Sequence, residues 1–372
     1  MNLQEYLEKK TEVQTSLLDF LDNEEISEDN FENIINLFED QKIQEDKQEF
    51  ISILRLIKKV SKNHHRASSF FPKIERIFKY LKDLMNQNLN NFEIFNFFKG
   101  NKRILLFLIQ EKIITLDQSI VDVMTNEKYS KMNYSSYFYP EIQNFLDKSK
   151  KEEIEREGFL DNLEIFEENR KTAENDKFIC KLIRNDNIDD FISHVNRINF
   201  PLMSEIQPSI FETNSFLLKN TSSLIEYSAF FGSIQIMKFL FLNKVKLTPS
   251  LWIYSIHGRN PDMIHFLEDN QIKPNDASYK ECLNESLKCH HLEITEYIRN
   301  NLYSNQNDKE FYVFSKSYKF CNYSYFPKDL KNEFVFYDLC QYNYIKLVEF
   351  LVNTSNIDMN FKIILKKIFI FK

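Results

Sequence analysis

The second half of the chain repeats one phrase. It reads Leu224-Ile225-Glu226-Tyr227-Ser228-Ala229-Phe230-Phe231-Gly232-Ser233-Ile234-Gln235-Ile236-Met237-Lys238-Phe239-Leu240, and it returns from Leu251 to Leu267, from Glu285 to Ile298 and from Asp338 to Leu351. Such repetition constrains a fold more than any single motif, because each copy is a supersecondary unit that cannot bury its apolar face without stacking on a neighbour. Each copy reads as a short helix, a tight turn and a second helix. Ser223 with Glu226 makes a capping box, and Thr248-Pro249 suits an N-cap followed by a first helical position. Asn260-Pro261-Asp262 opens a helix with a cap, a preset φ and an acid at the positive dipole end. Gly232 falls where the first helix must stop and reverse, a place that favours a left-handed residue. Gly258 lies within two residues of the equivalent turn, and Asp186, His290 and Tyr342 occupy that position in the other copies.

These residues resemble the ankyrin repeat, whose phrase runs T-P-L-H-x-A-A-x-x-G-H-x-E-I-V-x-x-L-L. Ser228-Ala229-x-x-Gly232 matches the A-A-x-x-G step, and Leu292-Glu293-Ile294 and Ile345-Lys346-Leu347-Val348 match the second helix. The T-P-L-H start is absent from every copy. Phe239 to Phe266 is 27 residues, Phe266 to Tyr297 is 31 and Tyr297 to Phe350 is 53, against 33 for the standard repeat. The pattern is therefore similar to a divergent branch. Ser223-Leu224-Ile225-Glu226-Tyr227, Ile253-Tyr254-Ser255-Ile256-His257-Gly258 and Lys288-Cys289-His290-His291 resemble an uncharacterised ankyrin-like domain family expanded in parasitic protists. That resemblance implies a fold, an N-terminal helical region before the repeats and no established activity.

Periodicity divides the chain. Residues 1–146 read as amphipathic helices, clearest at 71–86 (Ile74, Ile77, Phe78, Leu81, Leu84, Met85) and 48–60 (Phe50, Ile53, Leu54, Ile57, Val60), with 3–21 and 30–41 by the same spacing. Gly100, before an apolar run at 104–108, marks a possible degenerate copy. Residues 147–177 carry dense mixed charge and read as an exposed helical linker, in part packed through Phe159, Leu160, Leu163, Ile165 and Phe166. Residues 178–360 hold the repeats, with a weaker first copy at 178–195 and a long loop at 196–222. An aromatic insertion occupies 303–333, and an apolar, basic tail fills 361–372. The expected class is all-α: a helix-turn-helix solenoid behind an N-terminal helical region.

Four glycines in 372 residues, the nearest two 26 positions apart, exclude the loops that cradle phosphates or dinucleotides, since these need several glycines within one turn. A nucleophile elbow, a glycine-rich kinase loop and an EF-hand fall for the same reason. The net charge of −7 offers no overall attraction for nucleic acid. Five scattered cysteines and a polar, acidic start fit a reducing compartment, cytoplasmic or nuclear, and no run approaches the ~18 apolar residues that span a bilayer.

Several constellations invite a chemical reading. Cys282, Cys289, His290 and His291 lie close in sequence, with His257 and His265 one repeat earlier, but tetrahedral zinc needs four converging ligands and no CxxC exists. A turn histidine that hydrogen-bonds backbone between neighbouring copies is the simpler reading. A Cys289–His290 nucleophile pair fails because adjacent residues do not face each other. Trp252 reads as a buried anchor between copies, and Asp189-Asp190 as favourable charge at a helix start. No catalytic, cofactor or metal residue is assigned.

The expectation is a non-catalytic protein-interaction or scaffold protein that binds an unknown protein partner through its repeat surface. Insertions in repeat arrays map to one face, often the binding face. Tyr312, Tyr318, Phe320, Tyr323, Tyr325 and Phe326 are accordingly the candidate partner-binding residues, with folding back onto the array as the other outcome. The alternatives are an enzyme with an active site in residues 1–146, or a peripheral membrane adaptor using 361–372. The tail also reads as a truncated repeat.

Overall fold

A computed structural model describes residues 2–126, 133–158, 160–303, 309–327 and 333–354. Every regular element among them is helical, and no strand forms apart from one isolated bridge between Glu205 and Ser223. The all-α expectation holds. No helix among the described residues is long and apolar enough to cross a membrane. The 361–372 tail lies outside the described residues.

The first helices follow the apolar spacing closely. They are α1 (Leu3–Asp22), α2 (Glu28–Asp40), α3 (Lys47–Asn63) and α4 (Phe70–Asn88). Side chains of Asn2, Ser27 and Asp46 cap the first three by accepting backbone N–H bonds. There follow α5 (Asn91–Phe98), α6 (Lys102–Gln110), α7 (Gln118–Thr125), α8 (Tyr134–Tyr137), α9 (Tyr139–Ile142), α10 (Lys148–Glu155) and α11 (Leu163–Thr172). The charged linker is thus two helices. Ile154 and Phe166 pack inward, while Leu163 and Ile165 stay more than half exposed. The paired helices come next: α12 (Phe178–Arg184) with α13 (Ile188–Arg197), α14 (Leu224–Phe230) with α15 (Ile234–Leu242), and α16 (Leu251–Gly258) with α17 (Pro261–Asp269). The last are α18 (Lys280–Cys289), α19 (Leu292–Tyr297), α20 (Lys309–Phe320), α21 (Glu333–Gln341) and α22 (Ile345–Thr354).

The chain forms two compact units. One joins Met1–Ile74 to Ser278–Lys372, and the other is Glu75–Ala277. Local periodicity carries no information about which distant segments share a core, so a discontinuous unit is invisible to it.

In the contiguous unit, consecutive pairs pack first helix on first helix (α12 on α14 on α16) and second on second (α13 on α15). The reversals share one backbone motif. Asp186, Gly232 and Arg259 take left-handed φ of 44°, 72° and 50°. The next amide of the first two closes onto the preceding helix, Asn187 N to Leu182 O (3.1 Å) and Ser233 N to Ser228 O (2.9 Å). The second helices end the same way at Asn199, Lys244 and Gln271 (φ 50°, 70° and 57°). This six-to-one closure satisfies carbonyls that a helix end leaves free.

Side chains then staple each turn to the next. The Asp186 carboxylate accepts the backbone N–H groups of Gln235 and Ile236, both at 3.0 Å, and so caps α15 from the preceding pair. Ser233 Oγ donates back to Ile183 O. Asn260 Nδ2 donates to Gly232 O at 2.8 Å while its Oδ1 accepts Asp262 N. Trp252 is fully buried and its Nε1 donates to Ile272 O at 2.8 Å. Gly100 sits between α5 and α6, but only Gly158 and Gly232 have positive φ among the described glycines.

The discontinuous unit packs α18 on α20, α20 on α21 and α21 on α22, with α3 against α18 and α1 against the 3-10 turn Tyr323–Tyr325. Its turns carry the same left-handed residue at His290 (58°), Cys321 (59°) and Asn343 (57°). The expected turn residue Tyr342 is therefore one position early.

Candidate interaction surface

The N-terminal helices of the discontinuous unit seat polar side chains on its turns. His64, just past α3, places Nδ1 2.7 Å from Cys289 O and Nε2 2.7 Å from Asp22 Oδ1. Arg55 Nη1 donates to Asn343 O at 2.6 Å. Gln14 is fully buried; its Nε2 donates to Asn322 Oδ1 (2.8 Å) and its Oε1 accepts Tyr323 N (2.5 Å). Lys346 pairs with Asp46 at 2.8 Å. His64 and Arg55 meet carbonyls at helix C-termini, where the dipole favours such donors. Beneath them Lys10 and Glu49 form an ion pair at 2.5 Å, both nearly sealed from water.

His290 behaves as the turn-histidine reading expects. Its Nε2 faces Phe320 O at 3.1 Å, which makes that nitrogen the donor, and its Nδ1 faces Gln14 Nε2 at 3.4 Å, which makes it the acceptor. Burial first, then the nearby His64, pushes its pKa down to about 3. A second proton would have to sit against the Gln14 amide hydrogens. The neutral ring is thus a structural link. Asn322 Nδ2 completes the joint by donating to Leu287 O at 3.1 Å.

Burial disfavours the thiolate at four of the five cysteines. All five are free and buried. Burial pushes the Cys180 thiol up to about 12 and the Cys340 thiol up to about 11, and raises Cys289 and Cys321 as well. Reactive cysteines need the opposite shift.

The aromatic insertion turns inward. Tyr318, Phe320, Tyr323, Tyr325 and Phe326 are all buried, at 1–8% exposure. Tyr318 meets Phe326 edge-on at 4.6 Å between centroids, and Tyr344 packs on Tyr318, Tyr323 and Phe326. Tyr323 OH meets Ser52 Oγ (3.1 Å), Tyr325 OH donates to Leu292 O (3.4 Å) and Tyr344 OH donates to Tyr318 O (2.8 Å). Burial raises the pKa of Tyr318, Tyr323 and Tyr325. Five of the six candidate partner residues are thus core residues of their own unit. Each ring removes a large apolar area from water, an area that a partner would otherwise have to cover.

Tyr312 is the exception. It is half-buried, lies between the ammonium groups of Lys280 (4.7 Å) and Lys316 (5.3 Å), and donates to Lys280 O at 3.3 Å. Among the described residues of this unit, the half-exposed aromatic rings are ones not chosen from the sequence, Phe311 on α20 and Tyr337 on α21. In the contiguous unit Leu242, Met203, Phe178 and Ile198 are exposed apolar side chains. Helical phase predicts such outward positions only once the inward face of each helix is known.

Comparison with protein-family models, with curated proteins and with solved structures finds no match in any of the three.

Proposed function

We propose that the chain is a non-catalytic interaction protein built on divergent ankyrin-like helix pairs, which present helix edges and turns to a protein partner. The observation that carries this reading is the turn series Asp186, Gly232 and Arg259, in which a left-handed residue recurs and the first two turns are each bonded to the next pair. Repeats joined this way form rigid extended surfaces, and such surfaces bind other proteins. The thiols raised by burial and the neutral, doubly engaged His290 argue for structural roles where the sequence offered nucleophile candidates. Buried polar groups within residues 75–146 also bond structurally, among them Lys102 Nζ to Ile210 O, Arg103 Nε to Lys171 O and Tyr137 OH to Arg170 O.

Leu242 and Phe311 are the natural contacts, because exposed large apolar side chains serve as interface anchors. Affinity capture with the intact chain tests the reading, run beside Leu242→Asp and Phe311→Asp. A specific partner retained by the parent chain and lost by one variant supports it. Capture of no specific partner, or capture unchanged in both variants, overturns it.

A further inference from the structure

A neutral imidazole carries one N–H and one lone pair, so it cannot donate from both ring nitrogens at once. His64 sits where both are asked to donate. Its Nδ1 lies 2.7 Å from the Cys289 carbonyl oxygen, and its Nε2 lies 2.7 Å from Asp22 Oδ1. A backbone carbonyl only accepts, so Nδ1 must carry a hydrogen. The carboxylate at Nε2 asks for a second. The residue is 2% exposed, and neither gap has room for an intervening water, so both contacts are direct.

The surroundings favour the doubly protonated ring. His64 follows the last residue of α3, and Cys289 is the last residue of α18, so the ring lies at the negative ends of two helices. Asp22 stands in the field of Lys73 on α4, which favours the ionised carboxylate and leaves the proton on His64. The charge on His64 adds to burial in holding His290 neutral, and Lys59 acts in the same sense. His291 meets the His64 ring edge-on at 5.1 Å between centroids. Glu285 and Lys288 lie near the Cys289 thiol and pair with each other.

The joint ties together the end of α1, the end of α3 and the turn after α18. Neighbouring turns are held by other means. Arg55 donates to Asn343 O, and Gln14 bonds Asn322 and Tyr323, through groups that do not titrate near neutrality. Removing one proton from His64 leaves a lone pair 2.7 Å from an oxygen, whichever nitrogen loses it. The α18 turn or the Asp22 carboxylate must then move away. We propose that His64 is a proton-dependent clasp, which when protonated ties the α18 turn to the ends of α1 and α3, and when deprotonated lets that turn open while the rest of its unit stays folded. Base opens this clasp. His290, neutral down to about 3, sets the opposite limit of the closed range, because its protonation disrupts the same turn from the acid side.

Ring-nitrogen NMR of the intact, histidine-labelled chain reads the protonation state of His64 through a pH series, with His64→Gln identifying its signals. Hydrogen exchange on the same samples gives protection factors for the His290 and His291 amides, which bond Leu287 O and Ser286 O. The expected result is a ~10-fold or greater loss of protection over the pH range in which the ring becomes neutral, the size of one lost hydrogen bond to a charged group. His64→Gln should show no such step. Asp22→Asn keeps the ring but removes the carboxylate, and should move both changes to lower pH together. Four results would each overturn the proposal: a neutral His64 ring beneath fully protected amides, an unaltered pH response in folded His64→Gln, Asp22→Asn moving one change without the other, or a ring that stays protonated until circular dichroism shows the whole chain unfolding.

Discussion

The backbones of Gly232 and Gly258 touch. A Cβ on Gly232 would lie 2.8 Å from Gly258 O, and a Cβ on Gly258 would lie 2.8 Å from Gly232 N and clash with Ala229 O. The contact joins the turn after α14 to the last residue of α16, so it sets how closely two consecutive pairs approach. Gly258→Ala should cost about 1–3 kcal/mol through overpacking. Gly232→Ala should cost more, because its φ of +72° adds roughly 1–2 kcal/mol of left-handed strain. Trp252 is the only tryptophan and is buried in the same unit, so urea unfolding followed by its fluorescence reads both effects. An unchanged midpoint for Gly258→Ala would show that the pairs slide apart freely.

Lys244 ends α15 at φ 70° with an exposed side chain. Lys244→Gly should stabilise the contiguous unit by about 0.5–1 kcal/mol, because glycine takes that conformation without a Cβ penalty. The same fluorescence titration measures it. A fall in the midpoint would mean that the lysine stem contributes packing the geometry does not reveal.

His290 predicts acid sensitivity. Its folded pKa of about 3 lies below the ordinary histidine value of 6.5, so the unfolded chain binds the proton first as pH falls. The stability that His290 confers is fully present above pH ~6.5 and is lost as pH drops toward ~3. His290→Asn, which tolerates the left-handed turn, should be less stable at neutral pH, because it gives up the bond to Phe320 O. Its unfolding free energy should nonetheless fall less steeply between these limits, by an amount on the order of a few kcal/mol. Parallel slopes for parent and variant would be the contrary result, read by circular dichroism in a pH series.

Lys10 and Glu49 bury opposite charges together, and burial lowers the Lys10 pKa even against the pull of Glu49. Lys10→Met should cost about 3–5 kcal/mol, because it strands Glu49 without its partner. The double variant Lys10→Met with Glu49→Gln should recover much of that loss. A double-mutant cycle on chemical unfolding gives the coupling energy, and additive losses would show that the pair does not act as a unit.

Local features were legible and distant ones were not. The apolar spacing at 71–86 and 48–60 gave helices that the structure extends by only one to three residues at each end. Gly232, Asp186 and His290 were placed correctly at reversals, because the demand for a left-handed residue is local. Gly258 was placed within two residues of a turn, and Arg259 beside it takes the left-handed backbone, while Gly258 is small because another backbone passes close by. That second use of glycine depends on a neighbour 26 residues away. The sequence left the aromatic insertion open between a partner surface and folding back for a similar reason: whether Tyr323 faces water depends on Gln14 and Ser52, some 300 and 270 positions earlier.

The discontinuous unit also has a history in time. Its N-terminal helices leave the ribosome about two hundred residues before the helices that complete their core, with the whole contiguous unit synthesised in between. At ~5–20 residues per second, α1 and α3 wait roughly ten to forty seconds with Leu17, Phe50 and Ile57 uncovered. A stop codon before α18 leaves a product that lacks both segments on which α3 and α1 pack, Lys280–Cys289 and Tyr323–Tyr325.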